Sequence, residues 1–513
     1  MPKACALGVA ARDPWHPMLS RLLDPNESID SASAGGTSDV DRDWRLLVRW
    51  LGLSAKEPLP DRSRVLGLLG YAIAEIDERI GRQLDVVLHH PRFQALESAW
   101  RGLRRLAERI DDAEDRIKIR LLDVTWKELV RDMERSIEAE QSQLFRRVYS
   151  AEFGTPGGEP FGVLIGDYRI RHRRSQDHPE DDVGALRGIG QVAAAAFAPF
   201  IASAHPSLFG IDSFRELERS IDLSRNFASA EYAAWNSLRK LDDSRFIGLT
   251  LPRVLLRLPY RDDSLRADGF VYREDVSAPD GSGYLWGSAV WAFGEVLIRA
   301  FTQCGWLAAI RGVERDSDSA GLVTNLPAES FRTDAKGVVP KSAVEVQLTS
   351  EQEKEIGELG FIPLTHCHGT PYAAFYGNQS IHAYTGQVAA RAARTTFEIN
   401  EKLSSMLQYM FCVSRFAHYV KVIARDKLGS FTRAEEIESL LNNWLVDYAT
   451  SGEGASAEVQ AKYPLREARV EVREAPGRPG IYQTIVHLRP HYQLDQLTSS
   501  VKLVTELFAS RSV

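Results

Sequence analysis

Between Gln143 and Tyr168 the chain reads QLFRRVYSAEFGTPGGEPFGVLIGDY, and the middle of that stretch admits no regular element. Gly154, Pro156, Gly157, Gly158 and Pro160 crowd together there. Proline removes a backbone donor and fixes φ, while glycine carries no Cβ, so neither a helix nor a strand survives the run. Before it, Leu144, Phe145 and Val148 recur at helical spacing and Phe153 follows after a slip; beyond it, Val163, Leu164 and Ile165 restart the chain as a short buried strand ending at Gly166 and Asp167. The chain must therefore pass from helix to strand through a tight corner, with Phe153 and Phe161 on either side of it packing into a core.

Clustered backbone N–H groups in a glycine-rich corner can cradle a phosphate, but only where the glycines lead from a strand into a helix. Here the order is helix, corner, strand, no Gly-Lys-Ser/Thr follows, and G-x-G-x-x-G spacing is absent. The net charge of -7 over 513 residues offers no basic field for nucleic acid or an anionic membrane surface, so the partners implied are proteins. Cys5, Cys304, Cys367 and Cys412 stand far apart without a C-x-x-C, as reduced thiols in a cytoplasmic protein do. The weakly apolar run Ala4–Ala11 is short for a signal sequence. The longest apolar run, Val192 to Ala204, is shorter than a membrane span and interrupted by Pro199, and it reads as a buried helix.

Four regions follow from the patterning. Residues 1–60 form a leader in which Met18, Leu19, Leu22 and Leu23, and later Trp44 to Leu51, flank a Ser/Gly/Asp-rich spacer. These apolar groups read either as short helices packing on the body or as a handle for a partner groove. Residues 61–140 hold a helical hairpin, with stripes at Ile73, Ile76, Ile80, Leu84 and then Phe93, Leu96, Trp100, Leu103, broken at His89-His90-Pro91; a half-buried strand Ile117–Leu121 and a helix from Trp126 follow. Residues 141–448 form an α/β body. Its expected elements are a helix over Asp181–Ala204, strands at Phe246–Leu251, Val344–Leu348, Phe361–Leu364 and Tyr372–Tyr376, a broad helix over Tyr284–Arg311, and a long helix over Gln387–Asp426. Capping boxes are expected at Ser350 with Glu353 and at Thr432 with Glu435.

Residues 449–513 begin with a linker, Thr450 to Ala461. A β-hairpin follows, in which Val470 and Val472 alternate with charged residues, Pro476–Gly480 turns the chain, and Ile481 to Leu488 returns. Leu497, Val501, Val504 and Phe508 step by four and three, the period of a short terminal helix. The hairpin either completes a sheet of its own chain or offers its edges to strands of others. Catalytic and metal readings find little to stand on. His89 and His90 sit at a helix junction, His366 and His368 flank Cys367 without an identifiable third ligand, and His418 lies among apolar neighbours with no nucleophile or carboxylate in pattern. No cofactor, metal or catalytic residue is assigned, and the chain reads as a protein without enzymatic activity.

The corner resembles the signature "LF-x-x-VY-x-x-EFGTPGGEPFG-x-LIGDY" of the large sheath subunit of the type VI secretion system, the TssC family, also called VipB, ImpC or EvpB. "LHHPRFQALESAWRGLRRL", "LPRVLLRLPY", "YLWG", "SRFAHYVKVIARDKLGSF" and "VEVRE-x-PGRPG-x-Y" followed by "HLRPHYQL" extend the resemblance from about residue 65 to the end. It implies an α/β contractile tail-sheath-like fold with an N-terminal helical region and a C-terminal β-hairpin extension. It also implies co-assembly with the small subunit TssB into stacked six-fold rings around an Hcp tube. Contraction would deliver effectors, with cytoplasmic polymers anchored to the envelope through a baseplate and no direct membrane insertion. Strand pairing between subunits would then involve Val470, Val472, Tyr482, Thr484, Val486 and Leu488, and Phe153, Gly154, Pro156, Gly157, Gly158, Pro160 and Phe161 would form a structural corner. Recycling in that family uses the ATPase ClpV, which engages an N-terminal helix of the large subunit; residues 1–60 depart from the family's usual leader, and Met18, Leu19, Leu22 and Leu23 are the candidate handle there. The alternative within the resemblance is an accessory paralogue that binds sheath or baseplate components without polymerising.

Overall fold

The computed structural model describes residues 62–110, 117–153, 155, 157–219, 221–262, 269–278, 280–313, 320–329, 341–383, 404–427, 434–450, 457–474, 481–491 and 501–508. Expectations placed on the leader, on Gly154, Pro156, Thr432 and on the first part of the long helix from Gln387 lie outside these residues. The chain divides into two compact units, Met1–Arg82 with Asp262–Tyr272, and Gln83–Arg261 with Arg273–Val513. The described residues of the first unit are 62–82, in helix α1 (Arg62–Leu88), together with 262 and 269–272. There Asp77 accepts the backbone N–H of Val271 at 3.3 Å, and the Tyr272 ring, stacked on Phe270, lies against Gly81.

In the second unit α2 (Pro91–Ala107) starts as its sequence asks: His90 is the N-cap, its Nδ1 accepting from the N–H of Arg92, and Pro91 occupies the first turn, where its missing donor costs nothing. Helix α3 (Trp126–Arg135) opens with a full capping box of Thr125 and Glu128. Segment 143–153 is helical with a wide turn at Arg146–Ser150 that inserts one residue between Gln143–Phe145 and Ala151–Phe153. That π-turn is the slip visible in the apolar spacing.

The body then runs β1 (Leu164–Ile170), α4 (Asp182–Ala196), β2 (Phe200–Ala204), α5 (Ala233–Arg239), β3 (Ile247–Leu251), β4 (Val254–Leu255), β5 (Trp286–Gly287), α6 (Val290–Cys304), β6 (Leu322–Val323), α7 (Ser350–Glu358), β7 (Ile362–His366) and β8 (Ala373–Phe375). The main sheet has the order β1-β2-β3-β7-β8-β6; β1, β2, β3 and β7 are parallel, and β8 is antiparallel to both neighbours. Period two divides two cores across it. Phe200, Ala202, Ala204, Ile247, Leu249 and Leu251 face α4 and α5 with Leu186, Ile189 and Trp235, whereas Ile201, Ile362 and Leu364 face α6 with Phe293 and Val296. The C-terminal elements are α8 (Leu407–Lys427), α9 (Ala434–Val446), α10 (Ala457–Lys462), β9 (Leu465–Glu474), β10 (Ile481–Pro490) and β11 (Val501–Phe508), and a third core lies among α8, α9, β9 and β10. Helix α8 serves two cores: Leu407 and Phe411 belong to the second, Phe416 and Val420 to the third.

Six expectations are corrected. The apolar run Val192–Ala204 is not one helix: α4 stops at Ala196, Phe197 turns left-handed at φ 50°, Pro199 breaks the chain, and residues from Phe200 form a fully buried strand. The broad helix after Tyr284 narrows to α6, because Gly305 takes φ 76° and ends it. Val344, Val346 and Leu348 are buried but make only an isolated bridge, Val254 to Val344, which the N–H groups of Leu255 and Glu345 close onto the carbonyls of Ala343 and Arg253. Thr349 with Gln352, one residue earlier than expected, forms the capping box of α7. Residues Val501–Phe508 are strand β11, antiparallel to β10, not a helix: VKLVTELF alternates as well as it steps by three and four, and the ladder with β10 decides. Segment Ile117–Leu121 also joins no strand.

Gly248 sits in β3 facing α8. A Cβ there would lie 2.6 Å from Leu407 and 2.9 Å from both Ile201 and Ile362. Gly248→Ala should therefore destabilise the second unit by about 1–3 kcal/mol through overpacking, with a lower denaturant midpoint and unchanged m-value; an unchanged midpoint would mean that the three side chains yield freely.

Candidate functional site: the corner and the C-terminal sheet

The corner is held by one carboxylate. Glu152, 8% exposed, accepts the backbone N–H of Glu159 at 2.8 Å across the turn and forms an ion pair with Arg120. Arg120 also lies over the Phe161 ring at 5.4 Å and reaches Glu159 at 3.4 Å. Gly157 adopts φ 79°, and a Cβ on Gly158 would collide with the backbone of Glu152, so this path suits glycine at both positions. Upstream, Asp132 accepts from the N–H groups of Gln143 and Leu144, both at 3.0 Å, and Ser142 caps Phe145. The orphan donors at the start of segment 143–153 are thereby satisfied.

An aromatic ladder ties this corner to α8. Phe145, Tyr149 and Phe153 stack at spacings of four, with centroids 4.8 and 5.0 Å apart, and Phe153 continues to His418 at 5.6 Å. The Lys421 ammonium lies 5.5, 5.1 and 4.7 Å from the rings of Tyr149, Phe153 and Phe197, and burial pushes its pKa down to about 8. His418 donates from Nε2 to the carbonyl of Ala196 at 2.8 Å, satisfying the last turn of α4. Its Nδ1 is buried without a partner, and burial first, then Arg415 and Lys421, push its pKa down to about 4 despite that hydrogen bond. The imidazole is a neutral structural donor.

The C-terminal sheet has the order β11-β10-β9, with Thr484 opposite Val472, Val486 opposite Val470 and Leu488 opposite Ala468. Tyr482 pairs with Glu474 and Leu507. Val470, Val472, Thr484, Val486 and Leu488 are buried against the chain's own α8 and α9. Their side chains hold the sheet in place on its own chain. On β9 the outer edge is closed at its centre. Asn442 of α9 accepts the N–H of Val470 at 2.9 Å and donates to its carbonyl at 3.1 Å, and Glu438 accepts the N–H of Val472 at 3.0 Å. The opposite edge strand is β11.

The other sequence candidates stay apart. His89 lies 3.2 Å from Glu274 beside the buried Arg257–Glu274 pair. His366 ends β7, and Cys367 Sγ lies 3.8 Å from the Tyr376 hydroxyl, its thiol pushed up by burial. Among the described residues no group of three His, Cys, Asp or Glu could hold a metal, and no helix is long and apolar enough to cross a membrane. Met18, Leu19, Leu22 and Leu23 lie outside the described residues. Sequence reasoning missed Arg120, Glu152, Lys421, Glu438 and Asn442, whose roles depend on partners distant in the chain.

The sequence profile described as the EvpB/VC_A0108 tail sheath N-terminal domain of VipB matches residues 71–382, and that of its tail sheath gpW/gp25-like domain matches residues 396–507. The type VI secretion system sheath protein TssC1 of Pseudomonas aeruginosa is 39% identical over 438 residues, 85% of either chain. A chain of the anti-feeding prophage baseplate, solved by cryo-electron microscopy, aligns with a TM-score of 0.35 at 10% identity over 75% of this chain and 82% of its own.

Two outcomes follow from this geometry. A second proton on His418 has no acceptor, so the unfolded chain binds more protons between its ordinary pKa of 6.5 and about 4, and stability falls as pH drops through that window. Thermal melts should show the loss, up to ~3 kcal/mol from this residue, with a shallower acid slope in His418→Gln; an equal slope in both would discount the imidazole. Asn442→Ala strands the N–H and C=O of Val470, and should cost about 1–3 kcal/mol in denaturant titrations and raise concentration-dependent association in light scattering. Unchanged stability would mean that water replaces the amide without loss.

Proposed function

This chain belongs to the VipB/EvpB tail-sheath family of type VI secretion, and on that premise we propose how it assembles. It is a large subunit of the contractile sheath. It co-polymerises with the small subunit TssB into stacked six-fold rings around an Hcp tube in the bacterial cytoplasm, growing from a baseplate that links the polymer to the envelope. It turns over no substrate and takes no cofactor. ClpV disassembles the contracted sheath through the leader around Met18, Leu19, Leu22 and Leu23.

The observation that carries this reading is the C-terminal sheet. A three-stranded sheet fastened to α8 and α9 by its own core, closed at the centre of one edge and ending in β11 at the other, is suited to accept a strand from another subunit. A strand ladder persists while packed faces slide, which a contracting polymer requires. Exposed apolar side chains on α1 and on α2 support the same reading. Leu96 and Trp100 on α2 are 57% and 61% exposed, and Ile73, Ile76 and Ile80 form an exposed stripe on α1, apolar surface that an assembly would cover.

Negative-stain microscopy of the chain co-expressed with its small sheath subunit should show hollow tubules, and deletion of Leu465–Val513 should abolish them. Dispersed particles from the intact pair would overturn the polymerising role and leave an accessory paralogue.

A further inference from the structure

The segment that was expected to be a strand, Ile117–Leu121, borders a groove on the surface of the second unit. Among the described residues, residues 117–123 make no backbone hydrogen bonds, and Ile119, Leu121 and Leu122 are 39%, 67% and 44% exposed. Lys118 and Arg120, two apart, both reach Glu159, at 2.5 and 3.4 Å, so alternate side chains leave the same side as in extended backbone. Beside them lies a groove of about 200 Å³ floored by Phe161, Val163, Leu297, Ile298, Phe301 and Leu307.

The groove has an uncompensated charge. Glu159 and Glu152 answer Lys118 and Arg120. Arg415 of α8 lines the same groove, with its guanidinium 4.9 Å from the Phe301 ring and 5.0 Å from that of Tyr419 and one amino group donating to the Tyr419 hydroxyl at 2.7 Å. It has no carboxylate partner among the described residues, and its Nε is buried without an acceptor. A planar fork held by two rings is prepared for a carboxylate.

We propose that this groove docks an extended segment of the small sheath subunit, pairing along residues 117–123, seating an apolar side chain among Phe161, Leu297 and Phe301, and bringing a carboxylate to Arg415. Each feature of the occupant answers a feature of the groove: unpaired exposed backbone asks for a strand, the floor asks for an apolar side chain, and Arg415 asks for an acid. The proposal rests on the sheath reading above, to which it adds a place of contact distinct from the C-terminal sheet.

The test is photo-crosslinking in full-length tubules carrying Leu121→p-benzoylphenylalanine, a change at an exposed side chain. The expected result is a crosslink to a stretch of the small subunit holding apolar and acidic residues. Arg415→Gln should weaken the pairwise complex about tenfold or more, with Arg415→Lys restoring part of it. Tubules in which residue 121 links to another copy of this chain, or to nothing, would overturn the groove assignment while leaving the sheath reading intact. Absence of any complex between the two unsubstituted proteins would overturn both.

Discussion

A parallel sheet has to be covered on both faces, and most of this molecule is the answer to that requirement. Strands β1, β2, β3 and β7 cannot be joined by hairpins, so each crossover lays helix or irregular chain over one face or the other. The result is two apolar cores separated by a single layer of backbone. Their side chains come from the same strands, residue by residue: Ile201 looks one way while Phe200 and Ala202 look the other. A change of register by one residue would empty both cores at once, which pins the strands far more strongly than their short ladders do.

Helix α8 passes the order of that sheet to the C-terminal elements. Its first turns close the second core over Gly248, and its later turns begin the third core, on which β9 and β10 rest. His418 and Lys421 tie the same helix to the end of α4 and to the aromatic ladder behind the glycine corner. Corner, main sheet and C-terminal sheet are therefore three regions of one packed body, all touching one helix.

Much of this was legible in the residues. The corner, the break at His89-His90-Pro91, α3, β3, α9 and the paired strands at Val470 and Val486 coincide with strong local signals of cap, breaker and period. What was not legible has separate physical causes. Where an element is buried on all sides, as from Val192 to Ala204, hydrophobicity has no period to report, and a helix followed by a strand reads as one helix. For Val501–Phe508 two periods fit the same eight residues, and pairing with β10, not local preference, chose between them. Ile117–Leu121 failed in the opposite sense, since its alternation is real but no strand of the described residues lies beside it. The roles of Glu152, Asn442 and Arg415 depend on partners far away in the chain, for which spacing gives no sign.

The amide of Asn442 imitates a missing strand, giving Val470 one acceptor and one donor where a neighbour's backbone would have been. A sheet stopped in this way has a direction. The middle of β9 is shut to a further strand, and β11 is the last strand on the other side. A chain blocked in this way on one side of a sheet has at most one edge to offer there, which separates an assembly of counted parts from the open-ended stacking that leads to fibres.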